Sequence, residues 1–230
     1  MNKLQQFLNS SKQFNILSNK MFNGCYRLDH YAFRSFNFSP LIDEYTKNNY
    51  TLENDKYQFN NNVLGRWLSH KSKPSLFISE FNLKNNLLHK NTNASYTLKD
   101  LKSLMNNREK PTYKLYQDIL KENQYLAWTL LFENQINHVA FLVSDIHEAQ
   151  RQIIMDYPEF KINNATNPIQ ISKDKNLLQF SIKADLIDFE FKDGTFKVPY
   201  SFIEFVQRKN GRTGFESQNA AKIFESTNLD

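Results

Sequence analysis

One cysteine in 230 residues excludes an internal disulfide and a cysteine-only zinc site. A single thiol reads most simply as a small buried apolar side chain, and Cys25 is given no role. Glycine is scarce too: of the five present, none stands in a G-x-G-x-x-G or P-loop pattern, so nucleotide chemistry is not expected. The H-E-x-x-H, C-x-x-C and G-x-S-x-G patterns are missing, which removes the commonest protease, zinc-ribbon and hydrolase signals. No run of eighteen apolar residues could span a bilayer, and "MNKLQQFLNSSKQFNILSNK" lacks the apolar centre of a secretion signal; a soluble cytoplasmic protein with no membrane partner is expected. The formal charge of +5 is spread without a block of like sign. It favours an anionic partner weakly, does not mark nucleic-acid binding, and suits an acidic small molecule equally well. Chemistry must therefore come from scattered residues.

What is present is a 40% hydrophobic chain, enough for a sizeable core in a single domain over 1–230. It also contains an internal repeat. "LDHYAFRSF" and "INHVAFLVS" share the order apolar, Asp or Asn, His, apolar, Ala, Phe. Both alternate as strands do: His30, Ala32, Arg34 and Phe36 share one face and Asp29, Tyr31, Phe33 and Ser35 the other, while His138, Ala140 and Leu142 share a face in the second copy. A strand that only covered a core would carry Val, Ile or Leu where Ala32 stands, so space is left beside the histidine. Each copy precedes a helix. Ser39 and Pro40 read as N-cap and first-turn proline of the first, and Asp145 with Glu148 has capping-box spacing for the second. Extended stretches follow each helix: "KYQFN", "VLGRWLSH" and "PSLFISEF", then "NPIQIS", "LLQFSIKADLIDFEF" and "VPYSFIEFVQR". The pattern predicts an α+β fold of two βαβββ modules, 26–94 and 135–208, whose sheet curves around a shared site. Between them, 95–134 is a helical insert of two amphipathic helices broken near Pro111 and lying outside the site. A C-terminal tail or helix occupies 209–230.

Two histidines at equivalent positions of a repeat face one another if a pseudo-twofold axis relates the modules. Glu204, set among Phe202, Ile203, Phe205 and Val206, is the best third group, because a carboxylate buried there needs a cation, hydrogen bonds or a metal. Two imidazoles and a carboxylate on one side of an ion form the facial set typical of non-haem Fe(II) oxygenases; Mn, Co, Ni or Zn fits the same donors. Taken singly, His30 reads as a hydrogen-bonded structural residue, Glu204 as a charge on an edge strand and Arg34 as a surface cation. The repeat favours the joint assignment. His70, His89 and His147 read as structural or solvated.

"LDHYAFRSF", "NHVAFLV", "YSFIEFVQR" and "GFESQNAAKIFEST" resemble the motifs of the 2-oxoadipate dioxygenase/decarboxylase (hydroxyglutarate synthase) family of the vicinal-oxygen-chelate superfamily. The resemblance implies Fe(II), or another divalent metal, held by His30, His138 and Glu204, with Arg34 binding a substrate carboxylate. It also implies that a 2-oxo dicarboxylic acid and O₂ are the partners, with a 2-hydroxy acid one carbon shorter and CO₂ as products. The chain is shorter than the well-characterised bacterial enzymes, which makes the metal site more legible than the substrate, and the sequence sets no oligomeric state. A glyoxalase-like isomerase or lyase, with the metal as a Lewis acid only, or a metal-free binding protein of the same fold, are the alternatives.

Overall fold

The computed structural model describes residues 11–22, 24, 26–60, 63–81, 98–107 and 109–216. Strand β1 (Arg27–Ser35) leads through helix α2 (Ser39–Thr46) to β2 (Thr51–Asn60), β3 (Val63–Ser69) and β4 (Ser75–Phe81). Strand β5 (Ile136–Leu142) leads through α6 (Ile146–Asp156) to β6 (Gln170–Ile171), β7 (Leu177–Ser181) and, later, β10 (Phe202–Arg208). These eight strands form one sheet in the order β2-β3-β4-β1-β5-β10-β7-β6. The two halves match strand for strand: β1 and β4 are parallel, as are β5 and β10, and every other neighbouring pair is antiparallel. The predicted pair of βαβββ modules is thus present, and the sheet curls into a half-barrel.

The β1·β5 seam carries the pseudo-twofold in its register. Leu28 pairs with Phe141 and His30 with Ala140; in mirror order Ile136 pairs with Phe33 and His138 with Ala32. One residue is left over at each step, Asp29 in β1 and Asn137 in β5. Each is therefore a β-bulge, which breaks strict alternation and re-aims its side chain. The expected placement of Asp29 on the face opposite His30 is corrected here: at a bulge two successive residues oppose one, and Asp29 Oδ2 accepts from His30 Nδ1 at 2.7 Å.

The convex face of the sheet holds the main core. Phe14 and Leu17 of α1 (Lys12–Phe22), Leu41 of α2 and Ile146, Ala149 and Ile153 of α6 are buried there with Phe33, Val139, Phe141 and Phe205. Asp145 accepts from the His147 and Glu148 amides, giving α6 its cap. Ser39, in contrast, is the first residue of α2 rather than its cap; Asn37 Oδ1 accepts from its amide instead. The concave face is lined by two smaller clusters, Ala32, Trp67, Phe77 and Phe215 on one half and Ala140, Leu177 and Val206 on the other.

The connection between the halves departs from expectation in two ways. Three helices stand among its described residues, α3 (Leu98–Asn107), α4 (Tyr113–Glu122) and α5 (Gln124–Phe132). Asn123 ends α4 and caps α5, its side chain accepting from Leu126 N at 3.0 Å. Helix α5 is apolar almost all round, so it has no helical periodicity to reveal it. Nor does α5 stand apart from the strand that bears His30, because its Tyr125 and Trp128 cover Arg34. The stretch "LLQFSIKADLIDFEF" is not one strand either. After β7 the chain leaves the sheet, and β8 (Leu186–Phe191) pairs with β9 (Gly194–Pro199) as a separate hairpin. Aromatic contacts hold the hairpin to the insert: Tyr113 stacks on Phe196 with centroids 3.9 Å apart. The 94/95 boundary, the expected C-terminal helix beyond residue 216, Cys25 and His89 lie outside the described residues. No helix among the described residues is long and apolar enough to cross a membrane.

Candidate metal centre

Three strands bring His30, His138 and Glu204 together on the concave face. Ala140 of β5 pairs with His30 on one side and with Glu204 on the other, so these positions of β1 and β10 flank one small residue. Ala32 and Ala140, the small residues beside the histidines, are both buried, Ala32 against Trp67, Phe77 and Phe215 and Ala140 against Leu177 and Val206. The Nε2 atoms of His30 and His138 are 3.2 Å apart, and Glu204 Oε2 lies 3.5 Å from the first and 3.4 Å from the second. Two atoms each about 2.1 Å from one ion and at a right angle are about 3.0 Å apart, so a single divalent ion fits this triangle. All three side chains are buried. Strand β10 is central rather than at an edge, which disposes of a water-facing Glu204.

The hydrogen bonding around the triangle makes the fit chemical as well as geometric. His30 Nδ1 donates to Asp29 Oδ2 at 2.7 Å, and His138 Nδ1 donates to Asn137 Oδ1 at 3.0 Å. With the proton on Nδ1 in both rings, each Nε2 presents a lone pair. Burial pushes the His138 imidazole down to about 4, against the pull of Glu204, so the ring is neutral near pH 7. Neither Glu204 oxygen has a hydrogen-bond partner among the described residues. Two lone pairs and a carboxylate thus converge among buried side chains, an arrangement that a cation stabilises and that is costly without one.

Asp29 and Asn137 were missed by the strand-alternation reading. Their signal is the Asp or Asn that precedes His in both copies of the repeat. Burial would raise the Asp29 carboxyl; its bonds to Arg208 and His30 instead hold it well below the usual carboxylate range. The pseudo-twofold also locates a fourth position. Ala32 pairs with Phe77 as Ala140 pairs with Glu204, so Phe77 stands where a second carboxylate would be. Phe77 stacks on Phe215 with centroids 4.6 Å apart, and Trp67 lies beside both. An apolar wall replaces the fourth donor, and the set stays at two imidazoles and one carboxylate.

Arg34 lies further along β1, buried and paired in register with Ser79. Its guanidinium carbon is 4.0 Å from the Trp128 ring centroid and 4.8 Å from that of Tyr125, two cation–π contacts from one helix. Burial pushes it down to about 9, which leaves it cationic at neutral pH. Trp128 contacts Phe202, and Phe202 stacks on His138 at 4.6 Å, so one file of rings runs from Arg34 to the histidines. His70 and His147 take no part; His70 Nδ1 accepts from the Ser72 and Lys73 amides in a turn.

The segment after β10 closes over the same face. Gly214 has φ of +71°, and a Cβ there would collide with Tyr57 Oη. Gly214→Ala is therefore expected to lower stability by about 1–3 kcal/mol, with the loss read from chemical denaturation. A stability equal to that of the parent would show that this segment gives way freely.

The profile of the 2-oxoadipate dioxygenase/decarboxylase family matches residues 69–213, which include His138 and Glu204. The chain is 33% identical over 141 residues to the chloroplastic 2-oxoadipate dioxygenase/decarboxylase of Arabidopsis thaliana, covering 52% of this chain and 38% of that protein. It is 35% identical over 144 residues to the chloroplastic/amyloplastic enzyme of Oryza sativa subsp. japonica, covering 53% and 40%. The matches thus span about two fifths of the curated relatives' length. In fold, the chain is similar to hydroxyglutarate synthase from Oryza sativa, whose crystal structure contains 2-oxoadipate, with a TM-score of 0.83 at 24% identity over 98% of this chain and 89% of that one. It is also similar to a structure assigned to the glyoxalase superfamily from Ralstonia eutropha JMP134, with a TM-score of 0.69 at 18% identity over 93% and 83%. A vicinal-oxygen-chelate-like sheet and a profile match running from the end of β3 to beyond β10 lead to one assignment: the chain belongs to the 2-oxoadipate dioxygenase/decarboxylase family.

Proposed function

We propose that this protein is an Fe(II)-dependent dioxygenase/decarboxylase acting on a 2-oxo dicarboxylic acid of the 2-oxoadipate type, with His30, His138 and Glu204 as metal ligands and Arg34 as the carboxylate-binding residue. The observation that carries this reading is the convergence of His30 Nε2, His138 Nε2 and a Glu204 carboxylate without a donor, all within 3.5 Å. A bound Fe(II) would supply the redox chemistry by which O₂ and the 2-oxo acid become CO₂ and a 2-hydroxy acid one carbon shorter, 2-oxoadipate giving 2-hydroxyglutarate.

The remaining work falls to the chain's own residues. Ala32 and Ala140 are the smallest side chains beside the histidines, where a flat 2-oxo acid would have to lie. Phe77, Trp67 and Phe215 keep water from that side, which strengthens charge interactions within the site. Arg34, packed against Trp128 and Tyr125, donates bidentately to the distal carboxylate and so decides which end of a dicarboxylate meets the donor triangle. Asp29 and Asn137 keep the Nδ1 protons in place, so both Nε2 atoms remain donors.

Oxygen uptake with a panel of 2-oxo acids, on anaerobically purified protein whose metal content has been measured, tests the proposal. Equimolar uptake of O₂ and release of CO₂ with a dicarboxylate is expected. Substrate conversion without O₂ would replace it by the Lewis-acid isomerase or lyase, and no metal binding at all by the metal-free binding protein.

A further inference from the structure

We infer that Arg208 is a positioning residue that couples the segment 209–216 to the metal ligand His30 through Asp29. This inference rests on the metal assignment proposed above. Arg208 Nε donates to Asp29 Oδ1 and Nη2 to Asp29 Oδ2, both at 2.7 Å, while Nη1 donates to the Gly214 carbonyl at 2.8 Å. Asp29 Oδ2 in turn accepts from His30 Nδ1 at 2.7 Å. One guanidinium fork thus serves two masters: a bidentate carboxylate on one edge and a main-chain oxygen of the closing segment on the other. Its carbon lies 5.5 Å from the Trp67 ring centroid. Phe215, next to Gly214, packs edge-on against His30 at 5.7 Å and stacks on Phe77. The same segment therefore touches His30 directly by packing and indirectly by hydrogen bonds.

The pseudo-twofold supplies an internal contrast. Asn137 is the bulged counterpart of Asp29, and the counterpart of Arg208, four residues beyond the Glu204 position, is Phe81. Phe81 is an apolar core residue, and Asn137 Nδ2 has no hydrogen-bond partner among the described residues. A carboxylate appears only in the half that has the guanidinium. His30 is thus backed by a clamped anion tied to the segment 209–216, whereas His138 is backed by a neutral amide whose Nδ2 has no hydrogen-bond partner among the described residues. Fixing His30 by an ion should order 209–216 and, by linkage, ordering that segment should tighten the ion.

The test is Co(II) affinity, measured by competition with a chromogenic chelator, together with hydrogen exchange of 209–216 with and without Co(II). The parent and Glu204→Ala come first: if Glu204→Ala binds Co(II) as well as the parent, the metal assignment fails and not the coupling. Given that assignment, Asp29→Asn and Arg208→Met are each expected to weaken Co(II) binding by about 10- to 100-fold. The double variant is expected within about twofold of the weaker single one, because both break one path. Co(II) should slow exchange of 209–216 in the parent and not in Arg208→Met, and Arg208→Lys should recover part of each effect. Lys197→Gln removes the exposed ion pair with Asp188 at 2.9 Å and leaves both Asp29 and 209–216 untouched, so its Co(II) affinity should stay within twofold of the parent. Multiplying losses in the double variant, parental affinity in Arg208→Met, or an equal loss in Lys197→Gln would each overturn the inference. If Arg208→Met does not fold by circular dichroism, Asp29→Asn and Arg208→Lys decide through the same exchange measurement.

Discussion

Glu204→Met is expected to abolish metal binding and turnover while raising the melting temperature of the metal-free protein. Glu204 is 1% exposed, between two strands of the sheet centre, and neither oxygen has a hydrogen-bond partner among the described residues. Its nearest polar atoms are two imidazole nitrogens that present lone pairs. Such a carboxylate is a liability in the metal-free protein and, on the metal assignment proposed above, a ligand once metal is bound. Replacing a poorly compensated buried charge by an apolar side chain of similar size commonly stabilises by about 1–4 kcal/mol. For a domain of this size that corresponds to roughly 2–4 °C per kcal/mol, so a rise of about 5 °C is expected in differential scanning calorimetry. Adding metal should raise the melting temperature of the parent and leave the variant unmoved. A variant that melts lower than the metal-free parent, or that still responds to metal, would show that Glu204 is satisfied by the protein itself.

Arg34→Met should leave metal affinity near that of the parent but remove the preference for a distal carboxylate. A buried guanidinium packed at 4.0 and 4.8 Å against two ring centroids has already lost its side-chain freedom and its water, so little further ordering is needed when a carboxylate arrives. A charge-assisted pair in such surroundings is worth about 2–4 kcal/mol, which is roughly 30- to 1,000-fold in kcat/KM for the dicarboxylate. A 2-oxo monoacid of similar length should lose far less. Arg34→Lys keeps the charge but neither the fork nor the flat stacking surface, and should recover only part of the dicarboxylate activity. The measurement is steady-state oxygen uptake with both acids, alongside bound metal in the same samples. Parental dicarboxylate turnover in Arg34→Met removes Arg34 from the substrate site. Loss of metal would assign it instead to support of the donor triangle.

Much of this arrangement is legible in the chain itself. The repeated Asp/Asn-His-x-Ala-Phe places one histidine in each half, and period-two alternation puts His30, Ala32 and Arg34 on a common face, because side-chain direction along a strand is a local property of the backbone. Glu204 stands out for the same reason, a charge amid four apolar neighbours. Other features have no local signature. The bulges that turn Asp29 and Asn137 toward the rings arise only where β1 meets β5, since a bulge is a relation between two strands and not a property of either. Helix α5 carries apolar side chains on every side, so nothing in its period shows which face meets Arg34; the surroundings decide that. The departure of β8 and β9 from the sheet depends on the aromatic seam with Tyr113 and Phe132, residues from another part of the chain. Arg208 reads as an ordinary strand-end cation until Asp29, 179 positions away, is folded against it. The sequence by itself determined the candidate donors and the faces they occupy, through spacing along single strands. Only the tertiary structure decided what backs those donors, because the hydrogen bonds that hold a ligand in place are made between strands that meet across the sheet.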